Sequence, residues 1–87
     1  MQARPYLDQR VLGILSLLAE QFGISHPNGT LIDLRLTHAQ LAVAVGATRT
    51  TITRVLGELR AAGKLSADGS GRAERFVLRK GVELSHH

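Results

Sequence analysis

The chain contains no cysteine and no tryptophan, and its only aromatic residues are Tyr6, Phe22 and Phe76. Without thiols there can be no disulfide framework and no thiolate zinc site, a composition that fits a reducing cytoplasm. Three aromatics are too few to build the stacking platforms of single-strand RNA readers. No apolar stretch approaches the roughly 20 residues of a transmembrane helix, and no signal-peptide pattern opens the sequence. His26, His38, His86 and His87 have neither metal-ligand spacing nor an evident carboxylate or thiolate partner, so no metal site is expected. Walker loop, nucleophile elbow and glycine-rich dinucleotide turn are all missing, and Gly69-Ser70-Gly71 reads as the tip of a hairpin. These absences argue against an enzyme, and no cofactor is expected.

What remains is a small, mostly aliphatic domain. At 87 residues, 44% of them apolar and 21% charged, the chain can bury about two-thirds of its unfolded surface, enough for one domain but not for a three-layer catalytic core. The formal charge of +4 is unevenly spread. From Met1 to Thr48, Arg4, Arg10 and Arg35 are balanced by Asp8, Glu20 and Asp33. From Arg49 to Lys80, eight positive residues face only Glu58, Asp68 and Glu74. That excess is the footprint expected for a polyanionic partner, although charge alone does not separate DNA from RNA or anionic lipid.

The basic stretch begins inside a recognisable motif. Leu36 to Gly63 reads as two short helices joined by a glycine turn. Thr37 is an N-cap residue with Gln40 three positions later, completing a capping box, and Leu36 and Leu41 occupy the positions of a hydrophobic staple. Thr48 is a second N-cap residue, without the box because Thr51 stands where Glu or Gln belongs; Ala47 and Ile52 are its staple pair. Ala42 is small enough for a close helix crossing, and Gly46 can take the left-handed conformation that ends a helix. At 100° per residue, Ile52, Val55, Leu56 and Leu59 fall on one apolar stripe, while Arg49, Thr50, Thr53, Arg54 and Gly57 lie roughly opposite. This is the plan of a DNA-reading helix-turn-helix. Arginine can donate two parallel hydrogen bonds to a guanine edge, and threonine can offer a methyl group to thymine or a hydroxyl to phosphate.

The flanking sequence supplies a frame. Leu7, Val11, Leu12, Ile14, Leu15, Leu18 and Phe22 recur at helical spacing, with Asp8 as N-cap and Gly23 as stop, predicting a first helix over 8–22. Ser25-His26-Pro27-Asn28-Gly29 is turn chemistry, and the alternation from Ile32 to Leu36 predicts a strand over 31–36. After a first motif helix over 37–45 and a recognition helix over 48–62, a hairpin is predicted over 64–79, with Phe76 and Leu78 inward. The expected fold is a winged helix-turn-helix, mainly α with small β: three helices, a short strand or hairpin before the motif, and a β-hairpin wing after it. Residues 1–6 read as a hinge and 81–87 as a tail.

The pattern Leu36-Thr37-x-x-x-Leu41-Ala42-x-x-x-Gly46-x-Thr48-Arg49-x-Thr51-x-x-Arg54-x-Leu56-x-x-Leu59 resembles the C-terminal winged-helix domain of Crp/Fnr-family transcription regulators. Residues 49–54 are especially similar to the nitrogen-control branch, and Ser25 to Gly29 resembles the family's hairpin loop. The resemblance implies sequence-specific binding to double-stranded DNA in the cytoplasm, with Arg49 and Arg54 as base-reading arginines and Thr50 and Thr53 beside them. It implies phosphate contacts from Thr37, His38, Thr48 and Thr51. It also implies a contact of Ser25, His26 and Gly29 with the RNA polymerase α subunit, against the simpler reading of Pro27-Asn28-Gly29 as a tight turn.

Two positions depart from the family pattern. The catabolite-activator type has a glutamate where Thr50 stands, so the operator preferences should differ. Asp68 replaces a phosphate-contacting histidine at the wing, leaving Arg72 or Lys64 to supply that contact or the wing merely to pack. The effector-sensing barrel and dimerisation helix of the family have no counterpart in this sequence. An excised domain and a complete reader both fit, His86 and His87 fit a native tail or a tag, and a lone domain is expected to be monomeric or weakly dimeric. A winged helix used for protein–protein contact is the competing class.

Overall fold

The computed structural model describes residues 6–68 and 73–79. Hinge residues 1–5, the hairpin tip with Arg72, and the tail lie outside the described residues. Helix α1 (Leu7–Phe22) leads into strands β1 (Gly23–His26) and β2 (Gly29–Ile32). Strand β3 (Leu36–Thr37) passes directly into α2 (His38–Val45), which is followed by α3 (Arg49–Ala61) and strands β4 (Leu65–Asp68) and β5 (Ala73–Arg79). Three helices with a small antiparallel sheet and a hairpin after the motif make a winged helix-turn-helix.

Strand β5 is the centre of the sheet. It pairs β4 along one edge, while β2 and β3 share the other, with Leu31 opposite Val77 and Leu36 opposite Glu74. Between β2 and β3 the chain bends. Leu34 N donates to the Ile32 carbonyl at 2.7 Å and Asp33 N to the Phe22 carbonyl at 2.9 Å. The strand expected over 31–36 is therefore two shorter strands. Its inward alternation survives the break, since Ile32 and Leu36 are buried and Leu34 packs partly against the core.

The core joins one face of each helix to one face of the sheet: Leu7, Val11, Leu12 and Leu15 from α1, Leu41, Ala42 and Val45 from α2, Ile52, Val55, Leu56 and Leu59 from α3, and Ile32, Leu36, Leu65, Phe76 and Leu78 from the strands. Val77 is as buried as its inward neighbours, contrary to simple alternation. It faces the other side of the sheet, in a cross-strand row with Leu31 and Ile24.

Several local expectations are corrected. Helix α1 starts at Leu7 with Tyr6 at the N-cap, so Asp8 is a first-turn residue whose carboxylate accepts from Gln9 N. Phe22 is 44% exposed rather than core. Gly23 ends the helix in an extended conformation, so the chain runs straight into β1 where turn chemistry was expected. Only the two residues between β1 and β2 turn, fixed by Asn28 N donating to His26 Nδ1 at 3.1 Å. Gly29 is required by close approach: at φ 151° an added Cβ would lie 1.9 Å from the Leu78 carbonyl oxygen.

Candidate nucleic-acid interface

The two motif helices are fixed at their ends by short-range chemistry. Thr37 Oγ1 accepts from Gln40 N at 3.0 Å and Gln40 Oε1 accepts from Thr37 N at 2.9 Å, closing the capping box. At the other end of α2, Gly46 takes φ 75° and ψ 40°. Ala47 N then donates to the Ala42 carbonyl and Gly46 N to that of Val43, the paired bonds of a Schellman turn. Arg10 closes this corner from α1, its Nη2 donating to the Val45 carbonyl at 2.6 Å. Helix α3 begins on Thr48, whose Oγ1 accepts from Thr51 N at 3.1 Å.

With Ile52, Val55, Leu56 and Leu59 buried, α3 turns Arg49, Thr50, Thr53, Arg54 and Gly57 to solvent. Arg54 Nη1 lies 3.0 Å from Glu58 Oε2, one turn along, with both side chains mostly exposed. One N–H of the guanidinium is engaged there, which leaves other donors of the fork for a second partner. The Thr48 hydroxyl donates to Thr51 Oγ1 at 2.9 Å. His38, the first residue of α2, reaches across to α3, with Nδ1 2.8 Å from Thr53 Oγ1. The first residue of α2 thus meets the second turn of α3 on its exposed face, and at the start of each helix backbone N–H groups and the helix dipole favour an anion.

A family model for the Crp-like helix-turn-helix domain matches residues 9–80. The chain belongs to the Crp-like helix-turn-helix family. It is 46% identical over 54 residues to the global nitrogen regulator of Synechococcus elongatus, covering 62% of this chain and 24% of that protein. It is 38% identical over 72 residues to the anaerobic regulatory protein of Bacillus subtilis, covering 79% of this chain and 30% of the relative. Among solved structures, a variant of CooA from Carboxydothermus hydrogenoformans superposes with a TM-score of 0.72 at 25% identity, over 87% of this chain and 33% of CooA. The chain spans about a quarter to a third of the relatives it matches. It stands among the DNA-binding domains of transcription regulators, not among enzymes.

The Crp-like frame brings together some of the residues singled out by sequence and separates others. Thr37, His38, Thr48 and Thr51 cluster at the helix starts, beside Arg49, Thr50, Thr53 and Arg54. Thr37 also pairs with Ala73, so the tip side of the wing lies next to the α2 cap. Lys64 is elsewhere. It follows α3, roughly 20 Å of helix from Thr48, at the base of the wing, where its carbonyl accepts from Arg79 N. Ser25 is exposed and His26 half-buried on the hairpin before the motif, and Gly29 is held against β5.

Two contributors went unread in the sequence. Glu58 had a readable signal in its four-residue spacing from Arg54. Arg10 had none, because its partner is 35 residues away.

Proposed function

We propose that α3 of this domain enters the major groove of an operator half-site and reads base edges through Arg49, Thr50, Thr53 and Arg54. Thr37, His38, Thr48 and Thr51 hold flanking phosphates and set the register. The observation that carries this reading is the exposed arginine and threonine face of α3, flanked by two capped helix N-termini and backed by a wholly apolar inner stripe. A winged helix built for a protein partner would instead show aliphatic or aromatic side chains there.

Within a longer regulator acting in the cytoplasm, two such domains would occupy a palindrome, as the family resemblance implies. The resemblance also implies a polymerase contact at Ser25, His26 and Gly29. Two observations favour a structural role for part of that loop: the His26 imidazole fixes the turn and Gly29 accommodates β5. His26→Ala in a complete regulator separates the two, since unchanged activation removes the polymerase contact.

The direct test is a binding titration on a family-type palindrome against scrambled duplex at two salt concentrations. Arg49→Ala and Arg54→Ala are each expected to cost about 1–3 kcal/mol of specific binding. Base reading by α3 fails if both variants bind both duplexes as the parent does.

A further inference from the structure

Thr53 lies in the middle of the exposed face of α3, yet its hydroxyl is committed inside the protein. Oγ1 is 3.1 Å from the Arg49 carbonyl oxygen and 2.8 Å from His38 Nδ1. A hydroxyl has a single hydrogen to donate. If the imidazole carries its proton on Nδ1, His38 donates to Thr53 and Thr53 donates to Arg49; if it does not, Thr53 donates to His38. In both tautomers the hydrogen stays within the protein, and none is left for a guanine or adenine acceptor.

The same two partners restrain the side chain. Threonine is branched at Cβ, so placing Oγ1 in one staggered well places the Cγ2 methyl in a fixed neighbouring one. Thr53, an exposed residue, therefore carries its methyl group in a set orientation. One turn further along the same face is Gly57, where an added Cβ would meet nothing within 4 Å. That opening leaves room for a base edge against Thr53. Of the four standard bases, only thymine presents a methyl group in the major groove, at C5.

Resting on the base-reading role of α3, we propose that Thr53 selects a 5-methylpyrimidine, thymine in ordinary DNA, by contact with its Cγ2 methyl, and that His38 is the positioning residue that fixes this methyl. The hydroxyl hydrogen serves to orient the side chain and is not offered to a base acceptor.

The test starts with selection of duplexes from a random library by this chain at low salt. Each thymine of the enriched half-site is then replaced in turn by deoxyuridine, which lacks only the methyl. At one position uracil is expected to weaken binding roughly fourfold, the worth of one buried methyl group. Thr53→Val, which loses the hydroxyl but is stiff about χ1 in a helix and carries a methyl at both γ positions, retains that uracil penalty; Thr53→Ser, which keeps the hydroxyl and loses the methyl, abolishes it. His38→Ala reduces the penalty while leaving the thermal melt unchanged.

The opposite pattern, a penalty kept by Thr53→Ser and lost in Thr53→Val, means hydroxyl reading and overturns the proposal. So does the absence of any uracil-sensitive position, or a penalty that both variants keep. An undiminished penalty in His38→Ala overturns the positioning role. Arg49→Ala and Arg54→Ala separate this result from failure of the underlying reading. If they still discriminate selected from scrambled duplex as the parent does, or if selection enriches nothing, α3 does not read bases; if they lose discrimination while the Thr53 variants show no methyl effect, only the Thr53 proposal falls.

Discussion

Gly57 and Gly46 are both exposed glycines of the motif, and their physical roles are opposite. Gly57 is inside α3, where glycine costs about 1 kcal/mol relative to alanine because it must give up more backbone freedom. The space beside it is open. Gly57→Ala is expected to stabilise the fold by about 0.5–1 kcal/mol, a rise in Tm of a few degrees for a domain of this size. If a duplex edge approaches this face, the same variant should lose DNA affinity. A protein that is more stable and binds equally well would show that the groove does not need the gap. At Gly46 a Cβ again meets almost nothing, only Arg10 Nη2 at 4.0 Å, but φ is 75°. Its cost is therefore in the backbone alone, and Gly46→Ala should destabilise by about 1–2 kcal/mol. Thermal melts of the two variants, moving in opposite directions, check both arguments.

Between elements, the tie that matters most to the reading head is Arg10 on α1. The last carbonyls of a helix have no partner inside it. In α2 the Schellman turn satisfies Ala42 and Val43, and the Arg10 guanidinium takes Val45. A cation at a helix C-terminus also meets the negative end of its dipole. Arg10→Ala should cost about 1.5 kcal/mol, the low end of the range for a charged hydrogen bond because the site is partly open to water. Urea denaturation measures it, and Arg10→Lys should fall between parent and alanine if charge and reach both count. An unchanged midpoint in Arg10→Ala would mean that packing alone sets the corner. This tie also shows where sequence reasoning stops. The caps at Thr37 and Thr48, the left-handed Gly46 and the α3 stripe were legible because each depends on residues within four or five positions. The break between β2 and β3 was not, since it depends on pairing with β5 some 40 residues later, as in the 3.2 Å contact of Asp33 with Arg75. The burial of Val77 was unreadable for a related reason: its neighbour on the outer face, Leu31, comes from the distant strand β2. For the interface, residue types and helix face were readable, whereas the commitment of the Thr53 hydroxyl to His38 requires the crossing of α2 over α3.

For the whole molecule, the distribution of charge predicts how binding responds to salt. Among the described residues, the positive charges from Arg49 onward do not form one patch. Arg49 and Arg54 lie on the exposed face of α3, Arg75 is engaged with Asp33, and Lys64 and Arg79 stand at the base of the wing. From Lys64 to Asp68 the strand runs about 13 Å toward the α2 cap. Lys64 is therefore set back from a duplex that meets the two helix N-termini. Each neutralised phosphate contributes about −0.9 to the slope of log K against log salt. If three or four phosphates are neutralised at a half-site, raising salt from 50 to 200 mM should weaken binding by roughly a hundredfold. Lys64→Ala should leave that slope unchanged. Arg54→Ala should lower it by at most about one, because Glu58 already shares its charge, and its larger effect should fall on discrimination between selected and scrambled duplex. Anisotropy titrations at four salt concentrations separate the two effects. A slope that drops by one in Lys64→Ala would bring the base of the wing onto the phosphate backbone and require the domain to tilt on the duplex; a flat slope with all variants would remove the polyanion from the account of why this half of the chain is basic.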